Sequence, residues 1–237
     1  MKSLQKGFTL VEIAIVLVII GLLLGGILKG QEMITQAKIK NIISDFSGIS
    51  AAYHGYQDRY RAIPGDDANA PGRWSGSPAP LASMGNGVVA GTYNNGGVTC
   101  AATVESCIWW DHLRRSGFVA GSGLGQPLNA VSGLVGVQTG DGVSPPGPAL
   151  GAAAGAGGFF ALMLCSANHP DKVAIATDTQ MDDGHRLTGT VRGQLQTANN
   201  PNILLDITTV AAGGAGPPPA GNYVETGTNT YTVCRLL

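Results

Sequence analysis

The stretch from Phe8 to Leu28, FTLVEIAIVLVIIGLLLGGIL, constrains the fold more than any other part of this chain. It holds one ionisable residue, Glu12, and from Ile13 to Leu28 there is none. At about 1.5 Å of rise per residue, a helix of this length crosses a hydrocarbon layer about 30 Å thick. A carboxylate placed there costs about 2.5–3.5 kcal/mol on insertion scales. Glu12 therefore needs a partner, and an ionisable residue at such a position is a functional candidate.

A secretory signal peptide would share the basic start, Lys2 and Lys6, and the apolar run. It would also end at a small-residue cleavage site and carry an apolar core of about 7–15 residues. Leu28-Lys29-Gly30-Gln31 is a poor cleavage site, the run is longer than that core, and an acid at its head is foreign to the pattern. A plain signal anchor accommodates the length but gives Glu12 no purpose.

Gly7-Phe8-Thr9-Leu10-Val11-Glu12, with a short basic leader before it and the apolar run after it, resembles the class III signal of type IV prepilins and type II secretion pseudopilins. The resemblance implies that a prepilin peptidase cuts between Gly7 and Phe8 and methylates the new amine of Phe8. It implies that Glu12 pairs with the Phe8 amine of a neighbouring subunit during filament growth. A charge pair in a low-dielectric core sets register, because leaving either member alone is costly. The implied partners are identical or related pilin subunits, the peptidase, and an inner-membrane assembly platform with its ATPase. The implied location is the bacterial inner membrane with a periplasmic head, followed by a pilus or pseudopilus filament. The division expected is a leader at 1–7, a transmembrane and filament-core helix at 8–28, an amphipathic spine at 29–63, and a head at 64–237.

Composition suits a structural subunit. Charged residues make up 12% of the chain, about half the usual share, and the net charge of −1 offers no electrostatic footprint for nucleic acid. The 36 glycines and 13 prolines predict a loop-rich head. The lysines before the anchor orient the head outward, into an oxidising space. Cys100, Cys107, Cys165 and Cys234 permit three pairings. Short separation favours Cys100–Cys107 and leaves Cys165–Cys234 as a long bridge, worth about 4 kcal/mol against about 2.5 for the short one in the chain-entropy model. The long bridge also resembles the C-terminal disulfide loop of many type IV pilins.

Past the anchor, Ile42, Phe46, Ile49, Tyr53, Tyr56 and Tyr60 recur every three or four residues, the stripe of an amphipathic helix that Pro64 must end. Gly25-Gly26, with Gly21 and Gly30 beside it, marks either a point that melts on assembly or a surface for close helix packing. Glu105 to Phe118 predicts a short helix. Its Ile108, Trp109 and Leu113 face inward, while Trp110, His112, Arg114 and Arg115 form a solvated face or a partner surface. Gly121 to Gly158 predicts loop. Strands are expected at Phe159–Cys165, Lys172–Thr177, Thr188–Arg192, Ile203–Val210 and Tyr231–Leu237. The fold class is therefore α+β: a long N-terminal helix packed on a C-terminal antiparallel sheet, with long glycine-rich loops. This is also the architecture that the pilin resemblance implies. IPGDD at Ile63–Asp67, the WDHLRRSG run, MDDG at Met181–Gly184 and the closing YTVCRLL resemble a poorly described group of pilin-like proteins.

Asp178, Asp182 and Asp183, with Asp66 and Asp67, supply oxygen ligands of the kind calcium takes. Major pseudopilins carry such a site, but the spacing matches no EF-hand, and turn aspartates bonded to local amides are the plainer reading. His54, His112, His169 and His185 are scattered, with no metal spacing, nucleophile elbow or P-loop in the chain. No enzyme is expected. A pilus subunit is the leading reading. A type II secretion pseudopilin comes second, and a minor pilin that adheres to a surface or to DNA is a third.

Overall fold

The computed structural model describes residues 9–95, 100–152, 155–208 and 222–237. Four helices and four strands follow in the order α1 (Leu10–Tyr60), α2 (Ala70–Arg73), α3 (Glu105–Arg115), β1 (Val135–Thr139), β2 (Leu162–Pro170), α4 (Asp171–Met181), β3 (Val191–Leu195) and β4 (Thr230–Leu236). The chain divides into two compact units, Met1–Lys38 and Ile39–Leu237. Helix α1 contributes to both.

In the second unit α1 turns amphipathic. Ile39, Ile42, Phe46, Ala52, Tyr53 and Tyr56 are buried, and Ile49 and Tyr60 pack beside them. The helix stops one turn before Pro64. Arg61 takes a left-handed φ of 53° and donates its amide to the Gln57 carbonyl, closing the last turn as a glycine normally would.

The sheet is antiparallel throughout, ordered β1-β2-β4-β3. Its faces separate by the period of two that strands impose. Val135, Val137, Leu164, Val191, Leu195, Tyr231 and Val233 meet the helices, while Met163, Cys165, Ala167 and Cys234 meet a second layer built by Tyr93, Ala149, Leu150, Phe159 and Ile207. With both faces covered, the strands lose the alternation of a half-exposed sheet. Cys165 stands opposite Cys234 in the β2·β4 register, and their disulfide lies wholly buried on the second face. Cys100 and Cys107 form the other bridge.

Loops occupy both sheet edges. Beside β3, the Val191 amide donates to Asp182 Oδ2 at 2.9 Å and the Gly193 amide to the Arg186 carbonyl at 3.1 Å. Beside β1, the amides of Val135 and Thr139 donate to the carbonyls of Pro127 and Val89.

Several sequence expectations need correction. Lys172–Thr177 lies inside helix α4 rather than a strand, because Val173, Ala174, Thr177 and Asp178 are buried at helical spacing behind Pro170. No strand forms at 203–208, where the backbone pairs with loop residues Leu150 and Gly151; residues 209 and 210 lie outside the described residues. Strand β1 rises from the stretch expected to be loop. Gly136 at its second position lies against Tyr93, whose carbonyl fills the space a side chain would need. Every residue of α3 from Glu105 to Leu113 is buried, so Trp110 and His112 belong to the interior and not to a solvated or partner face.

Histidine 112 shows why. Burial pushes its pKa down to about 4, and the neutral ring accepts the Gly65 amide at Nδ1, 3.0 Å away, while stacking on Tyr56. Gly65 has a φ of 84° and sits so close beneath α3 that a side chain there would strike the Glu105 carbonyl.

Two outcomes follow for unfolding of the purified chain. Trp110→Ala should destabilise it by about 3–5 kcal/mol, whereas truncation of the exposed Phe160 should stay within about 0.5 kcal/mol. The second outcome concerns pH. Burial pushes the Asp178 carboxyl up to about 6 against the pull of the Tyr223 hydroxyl and the Gly184 amide, with Asp183 and Asp182 adding to the rise. The folded chain thus binds this proton more tightly than the unfolded one, so the Asp178 contribution is full below about pH 4 and is lost as pH rises to about 6. Asp178→Asn should remove that downward slope, measured as the difference between the two denaturation-versus-pH curves.

Candidate functional site

The first described turn of α1 carries the site. From Thr9 to Lys29 every residue is exposed, with Leu10 at 91% and the leucines, valines and isoleucines behind it between 46% and 73%. An apolar surface of this extent is stable only in lipid or against other apolar surface. Helix α1 is long and apolar enough to cross a membrane. Its backbone runs unbroken through Gly21, Gly25, Gly26 and Gly30, and a methyl group built on any of the four would meet nothing.

Glu12 is not isolated at the head of this surface. Its Oε2 accepts the Thr9 amide at 2.8 Å and the Thr9 hydroxyl at 2.8 Å, while its own amide donates to Thr9 Oγ1 at 3.3 Å. This is a capping box, with Thr9 at the N-cap and Glu12 at the third helical position. Two helix-end amides that lipid could not solvate are thereby bonded, and the carboxylate gains donors of its own. The Thr-x-x-Glu spacing was available in the sequence, but the prepilin motif that overlaps it drew attention to the charge and not to the cap. A carboxylate has about four acceptor sites, so the box leaves capacity for a further cation. Gly7 and Phe8, the expected cleavage pair, lie outside the described residues.

The carboxylates considered for calcium are turned to other work. Asp178 accepts the Tyr223 hydroxyl at 2.6 Å and the Gly184 amide at 3.1 Å. Asp182 Oδ2 accepts the amides of Thr190 and Val191. Asp183 accepts the His185 amide and the Thr188 hydroxyl. Asp66 and Asp67 serve a different loop, at the end of α1. Among the described residues no group of three acid, histidine or cysteine side chains is placed to hold a metal ion. Oxygens that converge on N–H and O–H donors do not make the cage of six to eight ligands that calcium needs.

The histidines are likewise structural. His169 is fully buried and its pKa is pushed down to about 3, with Nε2 2.9 Å from Ser166 Oγ and Asn129 donating to that same hydroxyl at 2.7 Å. The trio pins the irregular register between Ser166 and His169 where β2 meets β4.

Comparison with known proteins agrees with the geometry at the N-terminus and falls silent beyond it. Residues 2–28 match the family model described as a prokaryotic N-terminal methylation motif. No curated protein and no solved structure matches the chain. The motif is a signal for processing and polymerisation, not for catalysis. An exposed apolar helix, an acid held at its head and the methylation motif across both identify the chain as a member of the type IV pilin and type II secretion pseudopilin family.

Proposed function

We propose that this chain is the structural subunit of a type IV pilus-like filament, processed between Gly7 and Phe8 and polymerised through α1. The observation that carries the reading is the methylation motif on a helix whose apolar residues are all exposed. Before assembly that helix lies in the inner membrane with the head in the periplasm. In the filament, helices of neighbouring subunits bury one another, and an assembly ATPase supplies the work. The proposed division keeps a leader at 1–7, a core helix at 8–28, a spine at 29–63 and a head at 64–237.

The capping box fits this scheme. Cleavage after Gly7 leaves the Thr9 amide in place, so the box survives processing and presents a pre-aligned carboxylate to the Phe8 amine of the next subunit. The partnership is selective because either charge left alone in an apolar core is costly. A pseudopilin of a type II secretion system shares every feature of the anchor and is the second reading. The long Cys165–Cys234 bridge supports the pilus. Retraction ATPase genes next to this one would favour the pilus, and secretion genes would favour the pseudopilin.

Three substitutions separate capping from pairing and from processing. Glu12→Gln retains an acceptor for the Thr9 amide but no charge; like Glu12→Ala, it should leave leader cleavage intact and abolish efficient incorporation into filaments. Normal filaments from Glu12→Gln would show that the cap, not the charge pair, is what assembly requires. Gly7→Ala should instead leave the leader attached, visible by mass spectrometry of the purified chain.

Calcium has no part in this reading. Adding a chelator to the purified chain should leave its melting temperature unchanged, and a clear drop would restore a metal site to the head.

A further inference from the structure

Asn86 and Gly87 form the dipeptide most open to one reaction. The glycine nitrogen, once it has lost its proton, attacks the asparagine side-chain carbonyl carbon. A carbon–nitrogen bond forms, the side-chain amide leaves as ammonia, and water opens the resulting succinimide to aspartate or isoaspartate. Glycine favours the attack because it carries no side chain to obstruct it. Asn86 is exposed, and the glycines on either side have φ values of 88° and 82°. A cleft of about 340 Å³, lined in part by Gly85, Gly87 and Asp66, brings water to the loop.

The nucleophile is nevertheless occupied. Gly87 donates its amide to Asp66 Oδ2 at 2.7 Å, while Gly85 and Asn86 donate theirs to Oδ1 at 2.5 and 3.3 Å. The Asn86 side chain is also tied, accepting the Val88 amide at 2.8 Å and donating to Ser144 Oγ at 3.2 Å. Asp66 itself is 5% exposed.

We propose that Asn86–Gly87 is a latent modification site, and that the Asp66 carboxylate keeps it closed by holding the proton that the attacking nitrogen must lose. Removing that proton would set a second negative charge against a buried carboxylate, and like charges at hydrogen-bond distance oppose ionisation. The three-amide clamp also fixes the backbone, so the Gly87 nitrogen cannot swing toward the Asn86 side chain. Loss of the clamp, by local opening or by removal of its charge, exposes the site to succinimide formation.

The test is peptide mass mapping of the full purified chain during incubation at mildly alkaline pH. Asn86 should convert at least about tenfold more slowly in the folded chain than in urea, the effect of one unit in the acidity of the Gly87 amide. Equal rates would overturn the proposal. Asp66→Asn should accelerate conversion at Asn86 and leave Asn200 and Asn202 unchanged; a folded variant with an unaltered Asn86 rate would overturn it too. Hydrogen exchange of the wild-type Gly87 amide decides the matter if that variant does not fold, since base-catalysed exchange passes through the same amide anion. Slow exchange is expected, and exchange as fast as that of a freely exposed loop amide would refute the clamp.

Discussion

The second unit depends on carboxylates that bond backbone amides. A chain with 36 glycines and few long strands leaves many N–H groups outside regular ladders, and each one buried without a partner would cost about 1–3 kcal/mol. Asp66 gathers the amides of Gly85, Asn86 and Gly87. Asp171 takes those of Lys172, Thr226 and Gly227, Asp141 those of Val143 and Gly147, and Glu105 that of Ala90. Acids thus replace the secondary structure that the loops lack. This explains how so loop-rich a head can be packed with so few charges: most of its acids are structural.

Asp67 shows the same economy joined to packing. It accepts the Tyr56 hydroxyl from α1 at 2.7 Å, the Asn69 amide at 3.0 Å and the Arg73 guanidinium. Arg73 in turn lies over the rings of Tyr60 and Trp74. One buried acid therefore ties the end of the long helix to the loop that follows and to a small aromatic cluster. The neighbouring His112, stacked on Tyr56, fastens α3 to the same point. Neither residue approaches a substrate-sized site with unspent chemistry, and both are explained by the joint they make.

The anchor was legible because its signals are local: a charge, a glycine and an apolar length that no folding partner can alter. The spine was legible for the same reason, through the spacing of Ile42, Phe46, Tyr53 and Tyr56. The head was less so. Lys172–Thr177 carries β-branched residues that suit a strand, yet tertiary burial of Val173, Ala174 and Thr177 selects a helix. In the other direction, β1 was hidden by Gly136, whose lack of a side chain marks a close backbone approach and not a turn. Trp110 and His112 were misplaced because α3 is enclosed all round, and an enclosed helix shows no polar face to read. The Thr9–Glu12 box shows that a residue can serve a local cap and a distant partner through one carboxylate.

The covered sheet edges bear on how such a polymer comes apart. Beside β3 the carbonyl of Arg186 and the carboxylate of Asp182 already occupy the amides that an incoming strand would seek, and loops do the same beside β1. Neighbouring heads therefore cannot zip together by shared ladders, the route that makes cross-β aggregates nearly permanent. Cohesion is confined to helix surfaces held by dispersion and one charge pair, and such contacts can be parted one subunit at a time without unfolding anything.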